Sequence, residues 1–174
     1  MESIIATLII ITLVLTGGLM MAQRYLSSQE RLMQAWLEME RAAEERLRTE
    51  VAAVASETKS SGAVVDLTLA NSGLTKLADY ETWDVIVQYE SVQGYRVVWL
   101  PYVTGEPGQD EWSVDGIYLD AVAGTAEIYD PGIFDSGEEL VARLRLSPPV
   151  KVGSTNLARV VTPNGVAVSV NFTR

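Results

Sequence analysis

The side chains that could do chemistry are acidic and few. Asp110, Glu111, Asp115 and Asp120 follow one another closely, and carboxylate oxygens hold Ca²⁺ when a loop converges them. Their spacing lacks the EF-hand pattern, so the cluster reads as solvated loop charge and no metal is expected. Glu138 and Glu139 invite comparison with a paired general acid and base, yet adjacent residues of a strand face opposite ways and cannot share one site. The chain has no His and no Cys, which removes the commonest general base, the commonest metal ligand, thiol nucleophiles and disulfides. It also lacks a GxxxxGK[ST] phosphate loop, so any motion must be driven by a separate ATPase. The expectation is a non-enzymatic protein with no catalytic residue and no cofactor.

Two further patterns carry chemistry of another kind. "NFT" at 171–173 matches the N-glycosylation acceptor pattern at Asn171. Trp83, Trp99, Trp112 and Tyr118 have faces that could stack on sugars, although core or subunit-interface packing is the more frequent fate of aromatics in strands.

These residues must be positioned by two very different halves. Residues 3–23, "SIIATLIIITLVLTGGLMMAQ", carry no charge and as a helix span about 30 Å, the thickness of a bilayer's hydrocarbon core. A cleaved secretory signal would show a basic start and a shorter apolar stretch, whereas Glu2 comes early and the first basic residue is Arg24. Beyond Arg24 there is no Gly or Pro up to Lys59, and Trp36, Met39, Ala43, Leu47, Val51 and Val54 recur at spacings of three or four, which predicts one continuous helix over 1–59 of about 80 Å. Gly17 and Gly18 read as points of close helix packing, with a flexible point as the other reading. "KSSG" supplies the helix stop at Gly62.

From residue 62 to 174 the periodicity changes. "AVVDLTLA", "WDVIVQYE", "YRVVWLPYV", "IYLDAV", "ELVARLRL", "NLARVV" and "GVAVSVNF" read as seven strands, with "TGEPGQDEWSVDG" as an exposed loop. Val166, Val168, Val170 and Phe172 share one strand face, and "TPNG" supplies the turn of a hairpin over 156–172. The fold class expected is α+β, a long N-terminal helix followed by an antiparallel β-sandwich. The net charge is −10, and from Lys59 onward there are eight basic and fifteen acidic residues. That balance repels phosphate backbones, so nucleic acid is not an expected partner.

An apolar-then-amphipathic N-terminal helix joined to a small sandwich resembles the archaellins (archaeal flagellins) and related archaeal type IV pilin-like proteins, over the whole chain. "NSG" at 71–73, "WDVIVQYE" at 83–90, "DPGIFDSGEEL" at 130–140 and "TPNGV" at 162–166 are similar to segments of archaellins and of the archaellum's membrane-anchored accessory proteins. Bacterial type IV pilins usually have Glu as their fifth mature residue, where Ile5 stands here, which favours the archaellin side. The basic leader is missing, and under the resemblance this implies that numbering begins at the processed N-terminus.

The resemblance implies a structural subunit of an extracellular, homo-oligomeric filament for swimming. Its helix would lie in the cytoplasmic membrane before assembly and in the filament core afterwards. Ile4, Ile5, Leu8, Ile11, Leu15, Gly17, Gly18, Trp36, Leu47, Val51 and Val54 would then pack against neighbouring copies, and a separate assembly ATPase and membrane platform would build the fibre. The alternatives are a permanently membrane-anchored archaellum accessory or stator protein of the same fold, or an adhesive pilin.

Overall fold

The computed structural model describes residues 2–174; Met1, the expected processed N-terminus, lies outside the described residues. The chain divides into two compact units, Met1–Ala43 and Glu44–Arg174. An unbroken helix α1 (Glu2–Arg48) fills the first and ends in the second. By length and composition it is able to cross a membrane. Ile4, Ile5, Leu8, Ile11, Leu15 and Trp36 are all exposed, and the space beside Gly17 and Gly18 is open. The hydroxyls of Thr7, Thr12 and Thr16 donate to the carbonyls of Ser3, Leu8 and Thr12 at 2.8–2.9 Å. The polar atoms of these side chains are thus satisfied within the helix, as a hydrocarbon surrounding requires.

The helix stops at Arg48 and does not run on to residue 59. Residues Val51–Lys59 form a strand, β1, paired antiparallel with β2 (Val64–Asn71). Val51 and Val54, expected on the helix face, are therefore strand residues: Val51 is buried in the core and Val54 is exposed. The register steps from Ala53 to Ala55 and passes over Val54, so the three-residue apolar spacing that imitates a helix runs from a core position to a β-bulge and marks no shared face. Leu47 does lie on the helix and is exposed.

The stop has a visible cause in the "NSG" segment. Leu74 N–H donates to the Arg48 carbonyl at 2.7 Å and Gly73 N–H to the Glu50 carbonyl at 3.0 Å, while Asn71 Oδ1 accepts from Gly73 N–H at 3.1 Å. Carbonyls left without helical partners at a C-terminus need such donors. A Cβ on Gly73 would stand 2.4 Å from Glu50 N and 2.6 Å from the Arg48 carbonyl oxygen, both backbone atoms that move only with the whole chain. Gly73→Ala is expected to cost about 1–3 kcal/mol, measured by chemical denaturation against the parent chain.

The remaining strands are β3 (Asp84–Ser91), β4 (Gly94–Leu100), β5 (Glu111–Asp120), β6 (Thr125–Ala126), β7 (Glu139–Arg145), β8 (Thr155–Val161) and β9 (Ala167–Thr173). They form two antiparallel sheets, ordered β1-β2-β7-β5-β6 and β4-β3-β8-β9, so the expected sandwich is present with β1 and β6 beyond the seven strands expected. The core between the sheets takes alternate residues of each strand: Val65, Leu67 and Leu69 of β2, Val85, Val87 and Tyr89 of β3, Leu140, Ala142 and Leu144 of β7, and Val168, Val170 and Phe172 of β9. The β8–β9 pair is the expected hairpin. Strand β5 starts inside the stretch expected to be a loop. Its register passes over Asp115, and this bulge breaks the alternation by which a strand is recognised.

Candidate docking face

Strand β4 is the edge of its sheet, paired with β3 on one side. Exposed edges are usually guarded by Pro, Lys, a bulge or an inward charge. Among residues 94–100 there is no Pro or Lys, and the β3–β4 register runs without a shift. The one charge, Arg96, lies on the inward side with Val98 and Leu100, where its guanidinium donates to the Ser147 carbonyl and lies 3.5 Å from Asp110; it is the single guard on this strand. The outward face instead presents Tyr95, Val97 and Trp99, which are 68%, 60% and 55% exposed. Half-buried Ile86 of β3 stands opposite Trp99 and extends the apolar surface by one strand, while polar Gln88 lies opposite Val97 and Arg159 beyond Ile86.

The two rings are held in place by β3. Trp99 Nε1–H donates to Asp84 Oδ1 at 2.9 Å, and the Tyr95 hydroxyl donates to Gln88 Oε1 at 3.2 Å. Trp and Tyr fixed in this way lose little rotamer freedom on binding and form the usual anchors of an interface. An unpaired edge beside them can accept another chain's strand through backbone hydrogen bonds. The arrangement suits docking of a protein segment.

The outer face of the other sheet carries charge, but that charge is internally paired. Asp66 accepts from Lys59 Nζ at 2.9 Å and from Arg143 Nε at 2.9 Å and Nη2 at 3.1 Å, and Arg143 also pairs with Asp115. Burial pushes the Asp66 carboxyl up more than any other single influence, yet its bonds to Arg143 and Lys59 together outweigh this and hold it below the ordinary aspartate value of 3.8. A lowered folded value means stability that is fully present above the unfolded value and lost as pH falls through the folded one. Asp66→Asn is expected to cost roughly 3 kcal/mol at neutral pH and to flatten the loss of stability below about pH 4, both read from denaturation midpoints across pH.

The acidic residues considered as ligands or catalysts are engaged one by one. Asp110 accepts from Ser147 N–H at 2.8 Å, Glu111 from Gly108 N–H at 2.6 Å and Asp120 from Ala123 N–H at 2.8 Å. Asp115 belongs to the Arg143 pair. Glu138 accepts from Asp135 N–H and Glu139 from Ala121 N–H, each at 2.8 Å, so the two carboxylates serve different loops. Burial raises Glu138 above its ordinary value. Trp83 and Trp112 lie in the core, Tyr118 is half-buried and Trp99 stands on the β4 face. Asn171 is exposed on β9.

Sequence reasoning did not single out Tyr95 and Val97. A signal was present: Val98 and Leu100 face inward while Val97 and Trp99 face outward, so "VVWL" is apolar on both faces, whereas a strand with one wet face alternates.

No family model matches the chain, and no curated protein matches it in sequence. Among solved structures, the archaellum periplasmic stator protein FlaG from Sulfolobus acidocaldarius superposes with a TM-score of 0.52 and 20% identity, over 71% of this chain and 99% of that one. The periplasmic stator protein complex FlaF and FlaG from the same organism matches with the same score and identity, over 71% of this chain and 89% of that one. The sandwich fold is shared with FlaG. Neither neighbour is an archaellin, and at this identity the likeness extends to the fold and no further.

Proposed function

We propose that this chain is a membrane-anchored accessory component of an archaellum-like machine, in which α1 holds the protein in the cytoplasmic membrane and the sandwich docks a different envelope protein through β4. The shared fold with FlaG carries this reading. The known FlaF–FlaG complex and the exposed aromatic face of edge strand β4 support a heterologous partner over a filament made of identical subunits. Paired carboxylates and the lack of His and Cys support a mechanical role without catalysis or cofactor. Torque and filament assembly belong to other subunits.

Deleting the gene is expected to leave filaments visible by electron microscopy while swimming is lost. Mass spectrometry of filaments sheared from the parent strain should find this chain absent. Filaments built mainly of this chain, and lost on its deletion, would overturn the reading and restore the filament subunit.

A further inference from the structure

The exposed helix carries a regular seam. Tyr25, Gln29, Leu32, Trp36, Met39 and Ala43 follow one another at alternating spacings of four and three, and the same spacing runs back through Ala22 and Gly18 to Ile4. This is a heptad repeat, the spacing of apolar residues that coils two helices together. Every charge between residues 22 and 43 except Glu40 lies on the side away from it: Arg24, Glu30, Arg31, Glu38 and Arg41. Tyr25, Leu32, Trp36 and Met39 are each more than half exposed, and no atom stands within 4 Å of a Cβ placed on Gly18, which leaves room for a second helix to approach closely.

We propose that residues 4–43 pair with the same residues of a second copy of this chain as a parallel, in-register coiled coil. Three observations select the second copy. A hollow on the helix surface is lined by Leu26, Gln29, Glu30, Leu32, Met33 and Trp36; four of these, Gln29, Leu32, Met33 and Trp36, form the diamond that receives the Leu32 knob of an in-register parallel partner. Apart from the Tyr25 hydroxyl, Gln29 is the one polar side chain in the seam, and an identical helix at the same height supplies it with a hydrogen-bonding twin, as polar residues at such positions do when they set register. The uncharged segment 3–23 fixes direction and height, because two copies anchored alike enter the bilayer from the same side and to the same depth. This last point rests on the anchoring proposed above. A filament lattice would instead stagger neighbouring copies along the axis, and equal residues would not meet.

The chain has no native cysteine, so the test is direct. Leu32→Cys and Met39→Cys in the seam, and Gln34→Cys and Arg41→Cys on the opposite face, are introduced singly into the full chain. Native membranes are then oxidised with copper phenanthroline. The seam variants are expected to give a covalent dimer of twice the 19.0 kDa chain, at least tenfold more than the opposite-face variants. Equal cross-linking from both faces, or no homodimer from either seam variant, overturns the proposal. Carbonate extraction of the same membranes tests the anchoring separately: release of the chain into the soluble fraction overturns the anchoring, whatever the cross-linking pattern.

Discussion

Trp83→Ala is expected to unfold the sandwich at temperatures where the parent chain is folded. Trp83 is 1% exposed, its Nε1–H donates to the Ala78 carbonyl at 3.0 Å, and its ring packs at a tilt against Tyr80 at 5.3 Å and Trp112 at 6.4 Å. Truncation removes the largest kind of buried side chain from the middle of an aromatic cluster. The loss is about 3–5 kcal/mol, a fall in melting temperature on the order of 10–20 °C. Trp112 provides the comparison. It is fully buried, packs on Tyr102 at 5.0 Å, and its Nε1–H finds no hydrogen-bond partner among the described residues. Replacing Trp112 with Phe relieves an unsatisfied donor, while replacing Trp83 with Phe strands the Ala78 carbonyl. Trp112→Phe should therefore be the milder change by about 1–2 kcal/mol. Equal costs for the two Phe variants would contradict the hydrogen-bond assignment.

The second large effect falls on binding and leaves the fold intact. Trp99→Ala removes the exposed aromatic anchor of β4, and Val97→Lys places a charge on its outward face in the manner of edges that resist pairing. Each should weaken capture of the envelope partner by the tagged full chain at least thirtyfold, corresponding to about 2 kcal/mol or more. Melting temperature should barely move, because exposed positions tolerate substitution within about 0.5 kcal/mol. Partner recovery is measured by quantitative mass spectrometry after solubilisation. Undiminished recovery from both variants would remove β4 from the docking surface and leave the fold-based reading in need of another contact.

Much of the sandwich is legible in the sequence because most of its strands alternate. β9 shows Val168, Val170 and Phe172 on the buried face with Ala167, Ser169 and Asn171 outside, and the turn before it is written in Pro163, Asn164 and Gly165. β1 and β5 resisted reading for a common reason. Each contains a residue passed over in pairing, Val54 and Asp115, and a single such residue flips the phase on which recognition depends. The helix end is not legible locally, because the groups that terminate it, Gly73 and Leu74, lie more than twenty residues downstream and act only once the chain has folded back. The docking face was half legible. Trp99 stood out as an aromatic of undecided fate, but that β4 is an edge follows from the order of strands in the sheet, which no local pattern records. Asp66 drew no attention because its partners, Lys59 and Arg143, come from two other strands.

The join between α1 and the sandwich has a mechanical meaning. Thr49 Oγ1 accepts from Asn164 Nδ2 at 2.6 Å, so the last helical turn is held by the β8–β9 turn as well as by Gly73 and Leu74. In a head tethered through its helix, tension arrives at Val51, opposite Asn71, the end from which β1 would peel away from β2 one rung at a time. Peeling is the weak direction of a β-pair, since its rungs break in succession. The contacts from Gly73, Leu74 and Asn164 sit ahead of the first rung and must all yield before it is loaded, so pulling force meets a cluster of bonds acting together instead of a zip.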